Sequence, residues 1–232
     1  MTTSGTTDFN LDLTDLVEEA YERAGGELRS GYDLRTAKRS LNLLFADWAN
    51  RGLNMWTFEQ GSITLVSGTA TYNLPTDTVD LLDHVVRTYA GQTANQADLA
   101  ITRISLPTYL TIPNKLVTGR PIQLLVTRST TTPTVTVWPV PDDTLTYTLV
   151  YSRLRRIEDA GDGVNTPDVP FRFLPALVAG LAYYIAPKLP DGAGLQRIDM
   201  LKAQYDEAWT LAEQEDREKA TTRLVPRRAF VR

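Results

Sequence analysis

The sequence predicts an α+β fold: a helical bundle formed by N- and C-terminal segments, an inserted antiparallel β-sandwich-like domain, and an extended C-terminal arm. Three observations predict it. Apolar residues recur with a helical period before residue 50 and again after residue 170. Between these stretches the period falls to two, and threonine and valine become common, as suits half-buried pleated surface. Beyond residue 220, arginines are interleaved with apolar residues and a proline.

The first helix is expected over Asp12 to Ala24, where Leu13, Leu16, Val17, Ala20, Tyr21 and Ala24 share one face. Asp12 suits an N-cap, and Gly25–Gly26 a stop. A second helix, about Asp33 to Asn50, aligns Leu34, Ala37, Leu41, Leu44, Phe45 and Trp48. The short connection favours an antiparallel pair. Ser62–Val66 and Thr71–Leu74 flank Ser67–Gly68–Thr69, which reads as a hairpin. Further strands are expected near Asp83–Thr88, Ile101–Ile104, Pro121–Thr127, Thr134–Trp138 and Thr144–Leu154. Ser105 to Thr111 reads as a helical turn, with Pro107 in its first turn. The acidic, glycine- and proline-rich stretch Glu158 to Pro170 reads as the return from sheet to helix. Phe171 to Ala186 is apolar nearly all round, and a long helix follows from about Gly194 to Ala220. The expected division is therefore 1–58 (helical), 59–168 (β-rich), 169–220 (helical, completing the bundle) and 221–232 (basic docking arm).

Composition removes several kinds of chemistry. The 232 residues include no cysteine and one histidine, His84, which excludes disulfides, thiol nucleophiles, cysteine-bound metals and multi-histidine sites. No nucleophile elbow or Walker loop is present. Asp83 and His84 are adjacent on a predicted strand, so their side chains face opposite ways and a dyad is not expected. Glu158, Asp159, Asp162, Asn165 and Asp168 gather oxygens without the alternation of a calcium-binding EF-hand loop; a solvated acidic loop explains them equally. Trp48, Trp56, Trp138 and Trp209 lie in apolar patterns and are expected to pack rather than stack on ligands. No catalytic, cofactor or metal residue is nominated. Met1 to Asp8 lacks the pattern of a signal peptide, and Phe171 to Ala186 is short for a membrane span.

The net charge of −4 conceals an asymmetry. From Arg217 onward there are six basic residues and one acid, leaving 18 basic and 27 acidic residues upstream. An acidic body argues against tight wrapping of DNA. The tail suits a docking arm, in which Leu224, Val225, Phe230 and Val231 fill pockets while Arg223, Arg227, Arg228 and Arg232 meet carboxylates.

The order of these segments resembles the head-to-tail adaptors, or tail tubular protein A family, of short-tailed bacteriophages. The resemblance runs from Leu13–Leu16–Val17–Glu18–Glu19–Ala20 through Leu41–Trp48 and Tyr72–Asn73–Leu74–Pro75. It continues in Gly119–Arg120–Pro121, Val137–Trp138–Pro139–Val140–Pro141–Asp142, Pro167–Phe171 and Ala176–Ala186, spanning roughly Leu13 to Ala212.

The resemblance implies a non-enzymatic virion protein in the tail or neck, assembled in the host cytoplasm. It implies a ring, usually dodecameric, that binds the portal protein above and the tail nozzle or tube below. Double-stranded DNA would pass through its channel without sequence-specific binding. No cofactor and no membrane are implied. An acidic body suits such a channel, because like charge prevents sticking. Ala176, Ala179 and Gly180 suit close helix packing in a ring, although a buried helix within one chain explains them as well. Two rival readings are a cell-wall-degrading tail enzyme and a receptor- or glycan-binding β module; the latter predicts exposed aromatics where Trp138 is expected to be packed.

Overall fold

A computed structural model describes residues 3–7, 9–29, 31–52, 55–189 and 195–217. Among them are five α-helices and eight β-strands, in an α+β arrangement with the strands lying between the helical halves. The chain divides into two units, residues 1–44 with 160–232 and residues 45–159.

In the first unit, α1 spans Leu13–Ala24. The Asp12 carboxylate accepts from the Asp15 backbone N–H at 2.9 Å, and Gly25 ends the helix in the left-handed region at φ 86°. A side chain at Gly25 would collide with the Arg197 guanidinium, which donates to the Arg23 carbonyl at 3.2 Å. The second helix, α2, spans Gly31–Arg51, and the division between units falls within it, after Leu44. Later in the chain, α4 (Leu174–Ile185) and α5 (Leu195–Glu215) complete the helical unit. As expected, α4 is buried nearly all round: only Pro175, Tyr183 and Tyr184 reach its surface. It packs on α1 and on α5. The buried face of α5 carries Leu201, Tyr205, Trp209 and Ala212. Tyr205 stacks on Tyr183 with ring centres 6.4 Å apart, and Trp209 meets Phe173 edge-on at 5.6 Å.

In the second unit, β1 (Phe58–Thr64), β3 (Thr78–Thr88), β4 (Ala97–Ala100) and β8 (Tyr147–Arg155) form one sheet, in the order β1-β8-β3-β4. The other sheet contains β2 (Thr71–Asn73), β5 (Thr102–Arg103), β6 (Gln123–Thr127) and β7 (Thr134–Trp138), in the order β2-β7-β6-β5. Both sheets contribute to one core, with Leu81, Val86 and Leu149 from the first and Leu124, Val135 and Val137 from the second. A short helix, α3 (Leu106–Leu110), carries Pro107 in its first turn, as predicted, and is capped by the Ser105 hydroxyl.

The hairpin expected around Gly68 is not formed. β1 pairs with β8 and β2 pairs with β7, so the turn hands the chain from one sheet to the other. Leu65 and Leu74 lie buried in the core on either side of that crossing. The alternation was read correctly, but alternation marks a half-buried face and does not name the partner strand. The second sheet is also mixed, because β5 runs parallel to β6.

Gly180 is closely packed inside the helical unit. A Cβ there would lie 2.8 Å from the Tyr205 ring and 3.0 Å from Leu44. Gly180→Val should therefore lower stability by about 1–3 kcal/mol through overpacking. Thermal unfolding followed by circular dichroism measures this; an unchanged midpoint would show that the bundle can open at this point.

Candidate functional site

The described residues place the predicted positions unevenly. Arg223, Leu224, Val225, Arg227, Arg228, Phe230, Val231 and Arg232 lie outside them. Of the small residues in α4, Ala176 is fully buried, and Gly180 is filled from outside by Tyr205 and Leu44 of the same chain. Ala179 differs. With Pro175 it lies along an open groove of about 430 Å³, bordered by Arg23 of α1 and by Gln204, Glu207, Ala208 and Leu211 of α5. Four acids and one arginine occur on α1, and five acids and two basic residues on α5, so the groove runs between two electronegative helices. Leu211 is 60% exposed, and Glu207 has no ion-pair partner among the described residues.

A second surface of the helical unit was not anticipated. Tyr32, Arg35, Arg39 and Leu43 follow one another at helical spacing on the exposed side of α2, and Tyr32 and Leu43 are each about three-fifths exposed or more. Tyr32, Arg35, Lys38, Arg39 and Asn42 line an open cleft of about 470 Å³. The Arg35 and Arg39 guanidinium groups contact only the Gly31 carbonyl and the Thr36 hydroxyl, so neither has a carboxylate partner among the described residues. Lys188 lies nearby, donating to the Ser40 hydroxyl at 2.6 Å; burial first, and then the Arg39 guanidinium, hold its ammonium below the usual lysine range. The same spacing rule that located the buried stripe of α2 would have found this face, had the opposite side of the helix been read.

The acidic loop has a structural task. The Gly163 carbonyl accepts from the Thr14 backbone and hydroxyl, and the Asn165 carbonyl from the Leu13 N–H, so the loop satisfies the free donors at the start of α1. Asp162 also pairs with Lys38 at 3.5 Å. Among the described residues, no group of three or more histidines, acids or cysteines is placed to hold a metal ion. No described helix is long and apolar enough to cross a membrane. Trp48 and Trp209 are buried, while half-buried Trp138 donates its indole N–H to the Asn114 carbonyl at 3.1 Å.

Two arginine clusters brace the β unit; neither is visible in local sequence patterns, since their members are far apart along the chain. Arg153 on β8 is 7% exposed. It donates to Asp77 at 2.6 Å, to the Thr78 hydroxyl at 2.9 Å and to Glu59 on β1, so the central strand is tied to both neighbours. Asp80 on β3 accepts from Arg103 of β5 at 2.8 Å and from Arg128 beyond β6, which joins the two sheets. The hydrogen bond from Arg153 holds the Asp77 carboxyl below its ordinary range. For Asp80, burial works in the opposite direction but is outweighed by Arg103 and Arg128, and the net shift is also downward. His84, on β3 beside this cluster, has its Nδ1 buried without a hydrogen-bond partner. Burial, and then Arg103, push its pKa down, which favours the neutral ring.

Asp77 and Asp80 hold protons less tightly folded than unfolded. Their contribution is complete above the unfolded carboxylate value near 4 and is lost as pH falls through their lowered values. Urea unfolding of the β unit should therefore weaken from about pH 5 downward. Asp80→Asn should cost about 1–2 kcal/mol at pH 7 and flatten that decline, because two arginines lose their shared partner. A variant with unchanged pH dependence would show that the cross-sheet cluster carries no stability.

Compared with known proteins, no curated sequence matches this chain. A family model described as SU10 adaptor protein matches residues 11–227, which takes in both units, the α2 face and the α4 groove. On that match over most of its length, the chain belongs to the SU10 adaptor protein family.

Proposed function

We propose that this adaptor is a structural, non-enzymatic component of a phage virion, forming a ring that joins the portal to the tail nozzle or tube at the neck. The observation that carries this reading is the family match, which runs from residue 11 to residue 227. The ring is dodecameric by resemblance and is assembled in the host cytoplasm. Double-stranded DNA passes through its channel without sequence-specific contact. Support comes from the acidic upstream chain, with 27 acids against 18 basic residues, because a like-charged wall does not retain DNA.

In this reading the segment 221–232 is the docking arm. Leu224, Val225, Phe230 and Val231 anchor in shallow pockets, and Arg223, Arg227, Arg228 and Arg232 pair with carboxylates of the portal or a neighbouring adaptor. The planar guanidinium fork favours such bidentate contacts. Ordering the arm costs about 1–2 kcal/mol of backbone freedom per residue, so its anchors must be well buried. The small residues of α4, Ala176, Ala179 and Gly180, serve the ring by allowing close helix packing, with Ala179 beside the open groove.

Native mass spectrometry at low concentration should find the isolated chain mostly monomeric, and a ring when a portal template is supplied. A stable ring without portal would remove the template from the scheme. Deleting the residues after Ala220 should leave the chain folded but weaken its docking to an empty, DNA-free portal. Equal docking by the shortened chain would show that the arm is not the clamp.

A further inference from the structure

The two open surfaces of the helical unit are complementary. The exposed side of α2 carries Arg35 and Arg39 without carboxylate partners among the described residues, flanked by the largely exposed Tyr32 and Leu43. The α1/α4/α5 groove has a floor of Pro175 and Ala179; on its α5 wall are the exposed Leu211 and Glu207, which has no ion-pair partner among the described residues, and on its α1 side Arg23 is already paired with Glu19. The surfaces share no residue and lie on different helices, so one chain can present both to two different neighbours. Tyrosine and arginine beside exposed leucine is the composition of a contact centre rather than of a solvated helix face.

We propose that the cationic α2 face of one copy seats on the α5 wall of the α1/α4/α5 groove of the next copy, as the repeating contact of the ring. Arg35 and Arg39 meet Glu207 and neighbouring acids, while Tyr32 and Leu43 cover Leu211 and the small-residue floor. The contact is heterologous, so each copy uses one surface on each side and repetition either closes a ring or extends a filament. Charge complementarity decides the occupant: in a chain of net charge −4, the α2 face is a cationic island whose required partner chemistry, carboxylate beside apolar surface, is present on the same molecule. This inference rests on the ring reading above and assigns its contact.

Because the chain has no cysteine, the pairing can be tested directly by cross-linking. Arg39→Cys and Glu207→Cys are made in separate full-length chains and in one chain, and each is oxidised on a portal template. The mixed single variants should give a heterodimer, and the double variant a ladder of multimers. The second measurement uses charge reversal. Arg35→Glu with Arg39→Glu should weaken template-dependent ring formation at least about tenfold, and adding Glu207→Arg to the same chain should recover much of the loss. All these side chains are exposed, so folding, checked by circular dichroism, should be unaffected. Rings formed by the unaltered chain, together with no 39–207 cross-link when the cysteine variants are oxidised on the same template, would overturn this contact while leaving the ring reading intact. An unaltered chain that forms no ring on the portal would overturn both.

Discussion

The helical unit depends on enclosing α4. A helix reading LPALVAGLAYYI has almost no polar side to offer water, so it is stable only with neighbours around most of its circumference. Those neighbours come from both ends of the chain: α1 and α2 precede the sheets, while α5 follows them. The β unit is therefore an insertion into a helical unit that the chain must return to complete. Gly180 brings α4 close to Leu44 and Tyr205, and Ala179 lies with Pro175 beside the open groove.

The β unit is held by different means. Its apolar core is shared by two four-stranded sheets, but register and sheet pairing are reinforced by arginine at positions where strands from distant parts of the sequence meet. Arg153 is nearly buried and has two carboxylates and a hydroxyl around it, the condition under which a charge can be taken out of water without a large penalty. At Gly61, opposite Tyr151 across β1 and β8, a side chain would lie 2.6 Å from the tyrosine ring. The aromatic ring covers the strand where glycine leaves it bare, which compensates for a residue that otherwise weakens sheet.

Much of this was legible in the sequence. The helical period located α1 and α2, the Asp12 cap and Gly25 stop bounded α1, and Thr134–Trp138 was found as a strand with its observed limits. Local chemistry sets these features, so local reading finds them. What was missed is non-local. The pairing of β1 with β8 rather than β2 depends on a partner 84 or more residues away, and the Asp80 cluster joins positions 23 and 48 residues apart. β4 was missed because Ala97–Ala100 is half-exposed edge strand with little apolar signal. The α2 face was missed for another reason: charged residues opposite an apolar stripe normally mean solvent, and only the structure shows that Arg35 and Arg39 have no acid to pair with among the described residues.

The order of elements also sets a timetable for synthesis. The apolar stripes of α1 and α2 are complete by residue 51, whereas α4, which they cover, begins at residue 174. At ribosomal rates of about 5–20 residues per second, that interval lasts roughly 6–25 seconds. During it the β unit can close on itself, since residues 45–159 contain all eight strands. Until α4 is made, the sides of α1 and of the first part of α2 that it will cover remain exposed to water.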